Sequence, residues 1–288
     1  MKTTLDCIPC LFRQALETAR IFSKDEAVHE RLLKDVLNWC RDMDMNKPAP
    51  VMGQRMHRRL REITGLKDPY RRAKDAQNKM ALSLLPGLRR ELARSGDRLE
   101  LAARMAIAGN IIDMGAYGEV GLGGVRKAVR HALTEPLRGE MPAFRLAAKK
   151  ARSILYLADN AGEIVFDRLL IEELGPERVT VAVRGNPVLN DAVLADARAA
   201  GLHNLARVID NGSDAPGTLL DETSPEFKAL FKTADLVIAK GQGNYESLSE
   251  APRRVYFLFK AKCPVIAERA GVALGAQVLG LGGRHGKH

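Results

Sequence analysis

The sequence predicts an α/β protein: a three-layer α/β/α core around a mostly parallel sheet, preceded by a mainly helical N-terminal region. Three observations lead there. Up to about residue 150, apolar residues recur at intervals of three and four, the period of an amphipathic helix. From Ser153 the period changes, and short apolar runs alternate with helical stretches, the pattern of a parallel sheet with helices on both faces. Four of those runs also end in polar residues and glycines, which gathers reactive groups at one edge. The organisation expected is a mainly helical region over residues 1–150, packed on an α/β core over 151–288.

Bulk composition narrows the class. A chain of 288 residues, 46% hydrophobic and 28% charged, can bury a sizeable core. The formal net charge of +10 fits a nucleic-acid partner, an anionic substrate or a solvated basic surface. Aromatic residues at 5% are too few for a base-stacking platform, which argues against nucleic acid, whereas a basic balance suits a phosphorylated small molecule. No apolar signal core opens the sequence and no uninterrupted run is long enough to span a bilayer, so a cytoplasmic location without a membrane partner is expected.

The first local signal is Cys7-Ile8-Pro9-Cys10, two thiols able to reach one metal or to form a redox pair. One C-x-x-C is half a tetrahedral zinc site, and no second pair follows, so structural or regulatory thiols are the expectation. Cys40 and Cys263 are expected to be buried thiols. Helices follow over residues 11–22 and 26–39, then around Met52, Met56, Leu60 and Ile63, then over 74–85, 87–93 and 98–108. Lys74 and Asn78 lie one turn apart on one face, either a solvated face or a pair of substrate contacts. Asn110 and Asp113 interrupt an apolar run and need partners if buried, or else cap a helix end. Gly115, Gly118, Gly121, Gly123 and Gly124 follow no strand and read as a loop over or beside the site.

The strands are expected at residues 154–157, 179–183, 206–209, 236–239 and 255–259. The first passes into Asp159, Asn160 and Gly162, with a helix starting near Ala161 and Glu163 in its first turn, where the helix macrodipole favours an acid. The second ends in Arg184-Gly185-Asn186, the third in Asp210-Asn211-Gly212 and the fourth in Lys240-Gly241-Gln242-Gly243-Asn244. Open α/β sheets place ligands at such carboxyl ends.

Asp159, Asn160 and the Asn190-Asp191 pair are hard oxygen donors with no histidine beside them, a set suited to Mg²⁺ or Mn²⁺. Lys240 can bring positive charge to a phosphate, and Gly241 and Gly243 can let backbone N–H groups approach it. A dehydrogenase or methyltransferase would show a glycine-rich first turn and usually an acid after the second strand, where Arg184 stands. An aspartyl-phosphate mechanism would place a second aspartate where Ala161 stands, so attack by metal-activated water is preferred.

Taken together, Cys7-Ile8-Pro9-Cys10, Asp68-Pro69-Tyr70 with Lys74 and Asn78, Gly109-Asn110 with Asp113, residues 159–167, Arg184-Gly185 through Asn190-Asp191, residues 239–244 and Lys262-Cys263-Pro264 resemble the damage-control phosphatase family, domain of unknown function family 89, in its prokaryotic branch with an N-terminal C-x-x-C. The resemblance implies divalent metal held by Asp159, Asn160 and Asp191, with phosphate held partly by Lys240 and hydrolysis of phosphorylated metabolites, damaged or surplus ones included. Asp159, Asp191 and Lys240 are the catalytic candidates, and Lys74, Asn78, Asn110, Asp113, Lys240 and Gly241 the candidates for substrate contact. Mn²⁺ or Mg²⁺ is the expected ion, with Co²⁺ or Ni²⁺ as substitutes in vitro. The competing reading is a non-catalytic binding module for a phosphorylated ligand or nucleic acid.

Overall fold

The computed structural model describes residues 1–111 and 122–283. Helices α1 (Cys7–Phe22), α2 (Glu26–Arg41) and α3 (Pro50–Thr64) come first, followed by α4 (Arg71–Ala93), α5 (Arg98–Ala108) and α6 (Leu122–Thr134). Their ends follow from local chemistry. Asp25 accepts the Ala27 N–H at 2.9 Å to cap α2, and Asp97 accepts the Glu100 N–H at 3.1 Å to cap α5. Pro50 opens α3 with a preset φ, and Gly65, at φ 68°, closes it in the left-handed region.

A helix break at Pro86, implied by separate helices before and after it, does not occur. Proline removes one backbone bond and crowds the preceding turn. Leu84 and Leu85 before it and Leu88 and Leu92 after it are buried in one core, and that packing keeps α4 continuous through it. Gly123 and Gly124, expected in a loop, belong to α6. Gly115, Gly118, Gly121 and the candidate Asp113 lie outside the described residues.

One sheet organises the rest. Strands β1 (Leu137–Gly139), β2 (Ile154–Leu157), β3 (Val179–Val183), β4 (Arg207–Asp210), β5 (Leu236–Lys240), β6 (Val255–Lys260) and β7 (Gln277–Gly282) stand in the order β1-β7-β6-β5-β2-β3-β4. All neighbours are parallel except β6 and β7. Between them run α7 (Met141–Lys150), α8 (Glu163–Leu174), α9 (Leu194–Ala199), α10 (Pro225–Thr233), α11 (Gln242–Leu248) and α12 (Pro264–Ala270). Strand alternation splits the apolar residues between two layers. Ile154, Tyr156, Val181 and Ile238 face a core shared with α4 to α9, whereas Leu155, Leu157, Val237 and Phe257 face α10 to α12.

The first of these cores runs from Ala81 in α4 to Leu279 in β7, and β1 itself precedes residue 150. Residues 1–150 are therefore not one separate body. Only α1 to α3 have an apolar cluster of their own, around Ala15, Leu32, Met56 and Leu60. Among the described residues no helix is long and apolar enough to cross a membrane.

The sheet order fixes where a ligand can enter. From β2 the chain moves outward through β3 and β4, then returns to β5 on the other side of β2. The two loops leaving β2 and β5 therefore diverge, which opens a crevice at their carboxyl ends.

Candidate active site

Asp159 and Asn160 follow β2 directly into that crevice. A second segment is laid along them. The Ala192 N–H donates to the Asp159 carbonyl at 2.7 Å, the Ala161 N–H to the Asn190 carbonyl at 2.8 Å and the Arg184 N–H to the Ala192 carbonyl at 2.9 Å. This pairing sets Asn160 opposite Asp191 in an antiparallel bridge. Asn160 turns its amide nitrogen to Asp159 Oδ2 at 2.9 Å and to Glu163 Oε2 at 3.1 Å, which leaves its side-chain oxygen available to a ligand.

Arg184, buried at the end of β3, serves both aspartates. Its Nε donates to Asp191 Oδ2 at 2.6 Å and its Nη2 stands 3.6 Å from Asp159 Oδ1. Nη1 reaches Asn244 Oδ1 at 3.2 Å, and Asn244 is tied to the Lys240 carbonyl at 2.7 Å. The guanidinium thus links the ends of β2, β3 and β5. Burial, followed by Asp191 and Glu163, pushes the Asp159 carboxyl well above its usual range despite Arg184. Burial likewise raises Asp191, with Arg184 opposing.

Lys240 is placed differently from the sequence expectation. Its ammonium is fully buried and its three donors go to Ala106 O at 2.8 Å, Glu163 Oε1 at 2.6 Å and Asp167 Oδ1 at 2.7 Å. Burial works against the charge, but Asp167 and Glu163 outweigh it and raise the lysine's pKa. With every donor committed inside the protein, Lys240 has none directed at a phosphate. Gly241 is similar: its N–H donates to Leu258 O at 3.0 Å within the sheet. Its role is spatial, because φ is +80° and an added Cβ would lie 1.9 Å from Asp159 Oδ2. Gly243 is likewise pressed on a backbone, its missing Cβ 2.2 Å from Pro216 O.

Lys74 and Asn78 do not form a solvated face; both are buried. Lys74 Nζ pairs with Asp196 Oδ2 at 2.8 Å and Asp68 Oδ2 at 3.2 Å, while Asn78 donates to Asp196 Oδ1 at 3.0 Å and accepts the Gly162 N–H at 2.8 Å. Asp196 also accepts the Val193 N–H at 3.0 Å. The pair on α4 therefore anchors both segments that carry the aspartates. Asn110 reaches the site through Glu163 Oε2 at 3.2 Å.

Glu163, Asp167, Arg184 and Asp196 are the groups whose part the residue pattern did not reveal. Glu163 and Asp167 stand one turn apart in a helix otherwise buried through Ile164, Val165, Phe166 and Leu169, and an acid pair inside such a run was the available signal. Lys262, exposed before α12, is a further cation that acts on Asp159.

A divalent cation fits the charge left in the crevice. Asp159, Glu163, Asp167 and Asp191 are four buried carboxylates, against the two buried cations Arg184 and Lys240. The carboxylates outnumber the buried cations by two, an excess that burial answers by raising Asp159, Asp167 and Asp191 and that a divalent ion would answer by coordination. The first coordination set available to offset that excess, Asp159, Asn160 Oδ1 and Asp191, is all oxygen, the donor chemistry of Mg²⁺ and Mn²⁺.

Comparison with known proteins agrees with this architecture. Residues 3–278 match the damage-control phosphatase ARMT1-like domain. The chain is 38% identical to an uncharacterized protein of Methanocaldococcus jannaschii over 97% of its own length and 95% of that protein, and 33% identical to a damage-control phosphatase of Archaeoglobus fulgidus over 96% and 98%. The crystal structure of a DUF89 family protein from Pyrococcus horikoshii superposes with a TM-score of 0.88 at 31% identity, covering 97% of this chain and 98% of that one. The chain belongs to the DUF89 damage-control phosphatase family.

Proposed function

We propose that this protein is a divalent-metal-dependent phosphatase that hydrolyses phosphorylated small metabolites, damaged or surplus ones among them. Its relatives from Archaeoglobus fulgidus and Pyrococcus horikoshii are named damage-control phosphatases, which supports the reaction class. The observation that carries the metal dependence is the buried Asp159 and Asp191 pair, with Asn160 beside it, in a crevice where carboxyl groups outnumber buried cations by two.

When bound, a divalent ion supplies a Lewis acid for a phosphoryl oxygen and lowers the pKa of a coordinated water. Asp159, Asn160 Oδ1 and Asp191 would hold it. Asp159 and Asp191 would also orient the attacking water beside it. Arg184 keeps the two carboxylates in register through Asp191 Oδ2. Lys240 acts one step back, fixing Glu163, which in turn holds the Asn160 and Asn110 amides. Lys262, exposed and close enough to act on Asp159, is a cation that can meet the phosphoryl charge.

The test is a phosphatase assay on a small phosphoester with chelator, then with Mn²⁺, Mg²⁺, Co²⁺ or Ni²⁺ restored, run beside Asp159→Asn and Asp191→Asn. Activity that needs the ion and fails in both variants is expected. Full turnover in excess chelator would overturn the metal reading.

A further inference from the structure

Arg184 is buried to 2% exposure, yet one of its nitrogens is left over. Among the described residues Nη2 has no hydrogen-bond partner, and Asp159 Oδ1 stands 3.6 Å from it. A charge-assisted hydrogen bond closes to about 2.8 Å, so the guanidinium stops short of a carboxylate within its reach. A buried donor without an acceptor is costly, and the neighbours of the other two nitrogens show what keeps it there.

Nε donates to Asp191 Oδ2 at 2.6 Å, while Nη1 donates to Asn244 Oδ1 at 3.2 Å and to Thr218 Oγ1 at 3.4 Å. Thr218 and Asn244 are buried and fixed in turn. The Thr218 hydroxyl donates to Asn244 Oδ1 at 2.8 Å, which leaves its lone pairs for Arg184. Asn244 Nδ2 donates to Lys240 O at 2.7 Å and to Ala158 O at 3.3 Å, which sets the direction of its side-chain oxygen. The Thr218 N–H donates to Ser247 Oγ at 2.9 Å, and Ser247 Oγ to Gly243 O at 2.8 Å, so the Thr218 segment is tied to α11. Helix α3 grips the same segment a few residues earlier, where Gln54 Nε2 and Arg58 Nη2 donate to Asp214 Oδ1 at 2.8 and 2.6 Å.

We propose that Thr218, with Asn244, is a positioning residue that holds Arg184 off Asp159 and so keeps Asp159 Oδ1 open to a divalent cation, a role that rests on the metal site proposed above. Asp159 Oδ2 already accepts the Asn160 amide at 2.9 Å, so Oδ1 is the oxygen for which Nη2 and a cation compete. With Nη2 closed onto Oδ1, an arriving cation has to break a buried ion pair before it can coordinate. Held at 3.6 Å, the guanidinium orders Asp191 through Nε without claiming Asp159. Groups that orient metal ligands from behind set affinity by about 10- to 100-fold.

Thr218→Val keeps the shape of the side chain and removes the hydroxyl, whereas Thr218→Ser keeps the hydroxyl. The experiment titrates Mn²⁺ calorimetrically into full-length, chelator-stripped wild type and both variants, and determines the crystal structure of metal-free Thr218→Val. Thr218→Val should bind Mn²⁺ about tenfold or more weakly, with Thr218→Ala matching it and Thr218→Ser staying near wild type. Nη2 in the Thr218→Val crystal should stand within hydrogen-bond distance of Asp159 Oδ1. In an Arg184→Gln background, where no guanidinium is left to swing, Thr218→Val should cost no further affinity. Unchanged affinity in Thr218→Val, an equal loss in Thr218→Ser, or an equal further loss beside Arg184→Gln would overturn the role. A Thr218→Val crystal unchanged at Arg184 would overturn it alone, whereas wild type that takes up no Mn²⁺ would overturn the metal reading and this role with it.

Discussion

Replacing Lys240 by methionine distinguishes a lysine that serves the fold from one that touches phosphate. The substitution keeps most of the apolar stem and removes an ammonium held by Ala106 O, Glu163 Oε1 and Asp167 Oδ1 at 2.8, 2.6 and 2.7 Å. Breaking a buried ion pair by deleting one partner costs about 3 to 5 kcal/mol, because the remaining charge stays buried without compensation. Two carboxylates are stranded here, so the upper part of that range is expected for the metal-free protein. The pH dependence has a definite sign. Burial pushes Asp167 up to about 6 even with Lys240 present, against an ordinary 3.8. A carboxyl raised in the folded state retains a proton that the unfolded chain has released, so its contribution is lost as pH rises through that window. Without Lys240 the window extends upward, and the deficit relative to wild type should shrink on acidification. Urea unfolding of wild type, Lys240→Met, Asp167→Asn and the double variant, at two pH values, measures both effects. The cycle should yield a coupling of about 2 kcal/mol. A Lys240→Met protein as stable as wild type at neutral pH, but inactive, would refute this reasoning and return the lysine to the substrate.

Three further outcomes are expected. Gly241→Ala forces a Cβ to within 1.9 Å of Asp159 Oδ2 at φ +80°, so it should displace that carboxylate and abolish the rise in melting temperature with added Mn²⁺, measured by calorimetry. Lys262→Met should lower kcat/KM on a phosphoester by about 10²-fold while leaving the Mn²⁺-dependent melting shift intact; unchanged kinetics would remove Lys262 from the site. Burial, then Arg61, lowers His57 from 6.5 to about 3, so the unfolded chain takes up a proton that the folded chain refuses between those values. Stability should therefore fall with pH below 6.5, by up to about 1.4 kcal/mol per unit, and the difference between wild type and His57→Leu should follow that slope in denaturant titrations.

The sheet was readable where its strands are buried on both faces. β2, β3 and β5 are short β-former runs ending in polar turns, and their bounds fall within a residue of expectation. β1 has three residues and β7 is broken by glycines at 280 and 282, so neither shows a β-rich run; pairing with each other and with β6 makes them strands. The strand-end residues were legible for the same reason as the strands: polar groups interrupting apolar runs stand out. What the sequence conceals is the partner of each charge. Lys240 reads as a free cation entering a glycine turn, because Glu163 and Asp167 belong to a helix two strands earlier in the chain. Lys74 and Asn78 look like a solvated pair because Asp196, which buries them, lies far along the sequence. Neither Cys40 nor Cys263 is fully buried, contrary to expectation.

The grip of α4 on the α/β half bears on how such a protein can be divided. Lys74 supplies the buried counterion of Asp196, Asn78 supplies the acceptor for Gly162, and Ala106 supplies one of the three acceptors of Lys240. Each contact crosses from a helix before residue 110 to a residue after 150. An α/β half cut free of those helices would keep every strand-end residue and still strand Asp196, open the Gly162 turn and bare the sheet face that Ala81, Leu85 and Ala106 cover. Helix α4 and the aspartate turns are therefore one structural unit, which no cut between residues 110 and 150 leaves intact.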